Sequence, residues 1–81
     1  MKLKIILFAA ARDACETSEA ELDLQQPATV ANLKLELTKR FPQLEPILSR
    51  SAISVDQQYA DDQFELTESS EIAIIPPVSG G

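Results

Sequence analysis

Residues 2–9 of the chain read KLKIILFA, in which two lysines alternate with apolar residues before a continuous apolar stretch begins. This pattern is typical of a strand that starts near solvent and becomes buried in the middle of a sheet. Near the other end of the chain, residues 71–75 read EIAII, a second apolar run that is rich in β-branched residues and favours a strand. We expect the two runs to be neighbouring strands, and this pairing decides the fold.

The segment after the first strand indicates a short helix and then a hairpin partner. Residues 10–15, AARDAC, are rich in alanine and can form one helical turn. Residues 19–24, EAELDL, alternate polar and apolar positions, which places Ala20, Leu22 and Leu24 on one face. The sequence therefore predicts a first hairpin whose strands are joined by a loop of moderate length.

The longest helical pattern begins after Pro27. Thr29 lies where an N-cap hydroxyl would accept a hydrogen bond from the next turn, and Pro42 marks the end of the pattern. Lys39 and Arg40 lie near this end, where the helix dipole favours cations. Apolar residues recur between the two limits at helical spacing: Val30, Leu33, Leu37 and Phe41. We expect the main helix here.

The second half of the chain predicts a connector and a second hairpin. Residues 42–48 form the connector, whose apolar members should cover one end of the core: Leu44, Ile47 and Leu48. Ile53 and Val55 alternate in a short strand, residues 56–58 predict a turn, and Tyr59 begins the return strand. Residues 65–70 indicate a polar turn before the last strand.

The predicted order is thus two strands, one helix and two strands. Two hairpins bury a shared core against one helix only if the sheet wraps one face of that helix, with the first and last strands adjacent in its centre. We therefore predict an α+β fold of the β-grasp, ubiquitin-like class, a mixed sheet of four to five strands wrapped on one main helix. The β-grasp domain is expected over residues 1–75, and an extended C-terminal tail over residues 76–81.

The composition limits the class of protein. A chain of 81 residues with 44% hydrophobic content suits a single core. The net charge of −6 repels phosphate backbones and anionic lipid, so neither nucleic acid nor a membrane is an expected partner. The acidity fits either ordinary solubility or steering toward basic partner surfaces, and charge alone does not decide between them.

The sequence favours a reducing cytoplasm as the location of the protein. Its longest apolar run, residues 5–11, is far shorter than the roughly 20 residues that span a bilayer. The chain shows no pattern of a secretory leader, and the single Cys15 cannot form an internal disulfide. No membrane anchor is expected.

Residues 76–81, PPVSGG, are the most informative local feature. Pro76 and Pro77 lack backbone N–H groups and favour an extended course, so the chain should leave the sheet there. Six extended residues reach at most about 20 Å. Gly80 and Gly81 have no Cβ and can pass through a channel too narrow for other residues. A terminus of this kind can enter the active site of another protein.

The group that this tail would deliver is the α-carboxylate of Gly81, which is unreactive until it is activated. Its attack on the α-phosphate of ATP gives an acyl-adenylate, and a sulfur nucleophile can convert that anhydride to a thiocarboxylate. The sequence offers no Mg²⁺ site, phosphate-binding loop or general base, so a separate enzyme that uses ATP and Mg²⁺ would perform these steps. We expect no cofactor on this chain and no catalysis by it alone.

A Ser-Gly-Gly ending alone also fits an inert, frayed terminus or an expression scar. Here it follows a predicted final strand and a Pro-Pro segment, and the sequence ends on the second glycine. This context favours the carrier interpretation.

Three segments carry a resemblance to a known family across essentially the whole chain: KLKIILFAAARDA, the helix around residues 29–41, and EIAIIPPVSGG. Together they resemble the small, ubiquitin-like sulfur-carrier subunits of molybdopterin synthase, and the PPVSGG ending is the most specific part. Members of that family often carry aromatic residues just before Pro-Pro, whereas this chain has Ile74 and Ile75.

The resemblance implies a function in molybdenum cofactor biosynthesis. Gly81 would carry the thiocarboxylate and donate its sulfur to cyclic pyranopterin monophosphate in a pocket of the large subunit, within a heterotetramer. Gly80 would thread the tail, and the insertion path and partner contacts would come from the preceding residues and the first strand: Pro76, Pro77, Val78, Ser79, Ile75 and Phe8. The implied further partners are a ubiquitin-activating-enzyme-like adenylating protein, which binds the nucleotide, and a sulfur donor of the desulfurase or rhodanese type.

Other candidate residues have plainer interpretations. Cys15 has no neighbour that would lower its pKa, which argues against a persulfide relay. The sequence has no His, and Asp61-Asp62 is typical of a solvated turn, so no metal site is predicted. Arg12 and Asp13 fit an exposed surface pair. An exposed docking patch and burial in the core remain equally compatible with four residues: Phe8, Tyr59, Phe64 and Ile75.

Three rival functions remain open at this point. A sulfur carrier for thiazole or another pathway would use the same fold and terminal glycines with a different acceptor. A non-catalytic ubiquitin-like interaction module would carry an inert tail. An acyl carrier protein would need a mostly helical chain and a serine in an Asp-Ser-Leu context, and the sequence shows neither.

Overall fold

The computed structural model describes residues 1–77. Its strands are β1 (Lys2–Leu7), β2 (Glu19–Asp23), β3 (Ala28–Thr29), β4 (Ala52–Val55), β5 (Gln58–Ala60), β6 (Glu65–Leu66) and β7 (Ile72–Ile75). Its helices are α1 (Ala9–Cys15), α2 (Val30–Arg40) and α3 (Glu45–Leu48), and a 3₁₀ turn (Pro42–Leu44) precedes α3.

The first and last strands lie side by side in the middle of the main sheet. The strand order in this sheet is β2-β1-β7-β4-β5. β1 and β7 pair in parallel, with Ile5 opposite Ile72 and Leu7 opposite Ile74. The other three pairs of neighbours are antiparallel: β2 with β1, β7 with β4, and β4 with β5. The predicted pairing of the two terminal runs is confirmed.

One face of this sheet forms the core with α2. Alternate residues of β1 point inward and are buried, because side chains on a strand alternate between the two faces: Leu3, Ile5 and Leu7. From the other side, α2 contributes Val30, Leu33 and Leu37, all fully buried. The apolar residues that the strand alternation and the helical spacing predict therefore pack together in a single hydrophobic cluster.

The ends of α2 are set by local chemistry. The Thr29 hydroxyl accepts a hydrogen bond from the Asn32 backbone, and the Asn32 side chain accepts one from the Thr29 N–H at 2.8 Å. This reciprocal arrangement is a capping box, with Asn in place of the usual Glu or Gln. At the other end, Phe41 is half-buried and Pro42 begins the 3₁₀ turn. The predicted N-cap and the predicted stop are both confirmed.

Two short helices close one end of the core. Ala11 of α1 is fully buried, and the helix is a little longer than the single turn predicted. In the connector, Leu44 and Leu48 are buried and Ile47 packs against the core while partly exposed. The three connector residues thus cover the core end as predicted.

Two details of the sheets differ from the prediction. Glu65–Leu66 is a strand rather than part of a polar turn, and it pairs with Ala28–Thr29 to form a separate two-stranded sheet. The turn between β4 and β5 is shorter than predicted, since Gln58 already belongs to β5. Asp56 and Gln57 both have positive φ, 52° and 70°, as a tight two-residue hairpin turn requires.

The architecture is the predicted β-grasp, ubiquitin-like α+β fold, with a mixed five-stranded sheet wrapped on one main helix. In residues 1–77 no helix is long and apolar enough to cross a membrane.

Two leucines of α2 allow a matched test of this packing. Leu37 is fully buried, whereas Leu35 is 63% exposed on the same helix. We expect Leu37→Ala to lower the free energy of unfolding by about 2–5 kcal/mol, because it leaves a cavity in the core. Leu35→Ala should change it by no more than about 0.5 kcal/mol. Urea denaturation followed by circular dichroism measures both values, and equal losses would contradict the packing described.

Candidate functional site

The chain leaves the sheet at the end of its central strand. β7 ends at Ile75, Pro76 is buried, and Pro77 is exposed. Pro76 is therefore already packed against the protein's own residues, while Pro77 is the first residue past the strand that is open to solvent. The other predicted tail residues, Val78, Ser79, Gly80 and Gly81, lie outside the described residues.

The face of the main sheet that points away from α2 carries the residues that alternate with the core. The strand register places Ile6 beside Ala73, Ala73 beside Ser54, and Ser54 beside Tyr59. Ile6 and Ala73 are half-buried, and Tyr59 is 78% exposed. A row of four uncharged side chains thus crosses four strands on the face of the sheet that points away from α2.

A second row lies next to Pro76 and Pro77, which we call the foot of the tail. Ile75 pairs with Ala52, and it follows Ile74, the partner of Leu7, so the residue after Leu7 lies beside it. That residue is Phe8, which is extended (φ −117°, ψ 154°) and 47% exposed. We call the two rows together the outer patch: Ile6, Phe8, Ala52, Ala73, Ile75 and Tyr59. The outer patch is apolar, and the chain enters the tail from within it.

Phe8 owes its position to a sharp turn in the backbone. The next residue, Ala9, has φ 49°, a left-handed conformation that costs a non-glycine residue roughly 1–2 kcal/mol. Phe8 is the N-cap of α1, and its carbonyl accepts hydrogen bonds from Ala11 and Arg12. The turn ends β1 at this point and leaves the Phe8 ring half-exposed on the outer patch. Such strain is common where a side chain must be held in place for function.

The four aromatic and aliphatic candidates from the sequence do not all come together. Phe8, Ile75 and Tyr59 share the outer patch. Phe64 is also exposed, but it lies outside the strands of the main sheet, and its carbonyl accepts a hydrogen bond from the N–H of Val30 at the start of α2. Ile6, Ala52 and Ala73, which the sequence did not single out, complete the patch. Alternation within the apolar run could have revealed them, although the adjacent Ile5 and Ile6 mask it.

Acidic side chains border the outer patch on one side. The edge strand β2 presents Glu19, Glu21 and Asp23 to solvent, and Glu19 lies 3.4 Å from the Lys4 ammonium group. Asp23 pairs with the N-terminal amino group at 3.2 Å. A partner that covers the outer patch therefore meets carboxylates at the β2 edge, where basic residues would complement them.

The remaining candidates fit their plainer interpretations. Cys15 ends α1 as a free, half-buried thiol, and burial raises its pKa, which lowers the fraction of reactive thiolate at neutral pH. Asp62 pairs with Lys34 at 2.7 Å, and Asp61 accepts a hydrogen bond from the Gln63 N–H. Arg12 and Asp13 form a loose exposed pair. Residues 1–77 hold no group of three side chains that could bind a metal ion.

The described residues therefore combine a five-stranded sheet, an apolar outer face and a central strand whose end is followed by the exposed Pro77.

Proteins of known name match the chain over nearly its whole length. The molybdopterin synthase sulfur carrier subunit of Dictyostelium discoideum is 36% identical over 83 residues, covering 99% of this chain and 96% of that protein. The subunit of the same name from Mycobacterium tuberculosis is 34% identical over 82 residues, covering 100% and 99%.

Solved structures share the fold. A protein from Pyrococcus furiosus, assigned as molybdopterin converting factor subunit 1, has a TM-score of 0.87 with 26% identity, covering 96% of this chain and 99% of that one. The small archaeal modifier protein 1 of Methanosarcina acetivorans has a TM-score of 0.84 with 28% identity, covering 99% and 96%. A complex of subunits 1 and 2 of the Helicobacter pylori molybdopterin-converting factor contains a chain with a TM-score of 0.73, full coverage of both chains and 20% identity.

The same relationship is found at the level of the family. The ThiS family matches residues 5–81, which include every strand and helix after the start of β1 as well as the tail. The chain belongs to the ThiS family, and within it to the group of molybdopterin synthase sulfur carrier subunits.

Proposed function

We propose that this protein carries sulfur as a thiocarboxylate on Gly81 and delivers it to cyclic pyranopterin monophosphate bound by a molybdopterin synthase large subunit. The observation that carries the proposal is the identity of 34% and 36%, over essentially the full chain, to sulfur carrier subunits of that enzyme. The fold supports it, because the tail follows β7, the central strand of the main sheet, and Pro77 is exposed directly after that strand.

Activation of Gly81 follows from the chemistry of a carboxylate. Its oxygen attacks the α-phosphate of ATP and pyrophosphate leaves, which gives an acyl-adenylate; the terminal sulfur of a persulfide on the donor then attacks the acyl carbon and AMP leaves. A second thiol cleaves the S–S bond of the resulting acyl disulfide, which releases the thiocarboxylate and leaves a disulfide between that thiol and the donor cysteine. We assign these steps to an adenylating protein of the ubiquitin-activating type, which binds ATP and Mg²⁺, and to a desulfurase or rhodanese as sulfur donor. The cytoplasmic location inferred from the sequence stays a prediction.

Docking on the large subunit is the role we assign to the outer patch. Phe8 and Ile75 are apolar, partly exposed and lie beside the start of the tail, and Tyr59 is exposed on the same face two strands away. Aromatic anchors dominate the binding energy of many interfaces. The Helicobacter pylori relative was solved as a complex of the two subunits, which supports a large subunit as the partner here. A heterotetramer remains part of the proposal.

Loading of sulfur on Gly81 is tested by intact-mass spectrometry. After co-expression with the adenylating protein and a sulfur donor, we expect a mass increase of about 16 Da, since sulfur replaces one oxygen. Deletion of Gly81 should abolish both the increase and the formation of the pterin dithiolene. We expect the urea denaturation midpoint to stay unchanged, because the last strand that contributes to the core ends at Ile75.

Two controls make the loading experiment decisive. A persulfide on Cys15 would add about 32 Da instead, and Cys15→Ser would remove it, whereas we expect Cys15→Ser to load normally. If the increase of about 16 Da does not appear although a competent adenylating protein is present, the result would favour an inert interaction module. A loaded chain that serves thiazole synthesis but not dithiolene formation would favour the thiazole pathway.

The outer patch is tested with a matched pair of exposed apolar residues. Phe8→Asp places a charge at the predicted interface, and Asp suits the N-cap position that Phe8 occupies, so the fold should be retained. We expect it to weaken binding of the large subunit by roughly tenfold or more, as loss of an aromatic anchor does. Leu35→Asp makes the same change on α2, on the other side of the sheet, and should bind as the wild type does.

Isothermal titration calorimetry with the purified large subunit gives both affinities. Equal affinities of Phe8→Asp and the wild type, or a loss of affinity in Leu35→Asp alone, would show that the large subunit binds outside the outer patch.

A further inference from the structure

A small apolar notch lies at the foot of the tail. Its volume is about 270 Å³, and three parts of the chain line it: Ala10 of α1; Pro46, Ile47 and Arg50 of α3 and the turn after it; and Pro76 and Pro77 after β7. The lining is mostly apolar. Pro76 and Pro77 have no backbone N–H, so that wall of the notch offers no backbone donor.

Arg50 is the one charged residue that lines the notch. Within residues 1–77, the ion pairs involve the amino terminus, Lys4, Arg12, Lys34 and Lys39, and Arg50 takes part in none of them. The protein as a whole has a net charge of −6. Lys2 and Arg40 are also outside these ion pairs, but only Arg50 lies beside the notch, where its guanidinium complements a carboxylate on a partner.

The size of the notch decides what kind of occupant fits. Binding sites for small molecules are usually about 300–1,000 Å³ and enclose most of the ligand. This notch is smaller, lies open at the surface and has one polar group able to fix orientation. Those dimensions suit one protruding side chain of a protein, with a neighbouring polar residue at the rim.

The notch is continuous with the outer patch through the tail. Ile75 belongs to the outer patch, and the next two residues, Pro76 and Pro77, line the notch. A protein that covers the outer patch and takes the tail into its active site must therefore pass over the notch as well.

We propose that the notch receives an aliphatic side chain of the large subunit, with a neighbouring carboxylate of that subunit paired to Arg50. The large subunit would then contact the start of the tail on two sides, at the outer patch and at the notch. These two contacts together would fix the direction in which the chain continues after Pro77. The inference rests on the proposed function, because it takes the large subunit as the protein that holds the tail.

The charge contact is tested on the full-length chain with a matched pair of lysine and arginine variants. Arg50→Gln removes the guanidinium, and we expect it to weaken binding of the large subunit by roughly tenfold, with a greater loss for Arg50→Glu. Lys2→Gln removes another exposed charge that is also outside the ion pairs of residues 1–77. Lys2 begins β1, about 16 Å from the end of the strand beside the tail, and its loss should change the affinity by less than about twofold.

The apolar contact is tested with Ala10→Leu, which fills the notch from an exposed helical position where leucine is well tolerated. We expect weaker binding of the large subunit with unchanged urea stability. Raising the salt concentration should weaken the wild type more than Arg50→Gln, since the variant has lost the screened pair.

Isothermal titration calorimetry with the large subunit separates the outcomes. Wild-type affinity for both Arg50→Gln and Ala10→Leu overturns the inference while the proposed function stands. Failure of the wild type itself to bind the large subunit defeats the proposed function. Normal binding of the large subunit, combined with slower adenylation of Arg50→Gln, would assign the notch to the adenylating protein and also overturn the inference.

Discussion

The parallel pairing of β1 and β7 is the constraint on which the rest of the structure depends. It brings the two ends of the sequence together in the centre of the sheet, with Ile5 beside Ile72 and Leu7 beside Ile74. All four residues are buried at 1% exposure or less, so the pairing is also the middle of the hydrophobic core. Because β7 is central, the chain can leave it only past the end of β1, and this fixes Phe8, α1 and the tail at one place.

The two faces of the main sheet have different roles. The inner face packs against α2 and supplies the stability of the fold, whereas the outer face has no helix over it in residues 1–77 and carries the outer patch. Strand alternation makes this separation possible, since neighbouring residues such as Ile74 and Ile75 point to opposite faces. The residues that hold the domain together are therefore different from those available to a partner, even within a single strand.

Much of this could be predicted from the sequence, because the long elements carry strong periodic signals. The α2 pattern from Val30 to Leu37, its Thr29 cap and the two terminal strands were all evident from spacing and residue type. The β3 and β6 strands were not, because two-residue strands show no periodicity and depend on contacts between distant segments. The turn at Asp56 and Gln57 was also predicted one residue too long, since neither residue is the glycine that usually marks positive φ.

The candidate site was predictable only in part. Phe8 and Ile75 were docking candidates in the sequence as apolar residues and through the family resemblance, but their proximity depends on the parallel register, which no local pattern reveals. The notch was invisible in the sequence for the same reason: Ala10, Arg50 and Pro76 are far apart along the chain. A motif that lies within one segment, such as the Gly-Gly ending, is visible in the sequence, whereas a surface assembled from three segments requires the fold.

The central position of β7 also has a consequence for biosynthesis. A growing chain can form β1, the first hairpin and α2 while it is still being translated, but the gap between β1 and β4 stays open until Ile72–Ile75 emerge. Nascent and prematurely terminated chains thus lack the middle of their sheet, and long-range pairing of this kind is slow relative to helix formation. The main sheet is therefore completed only after residues 2–75 have all been translated.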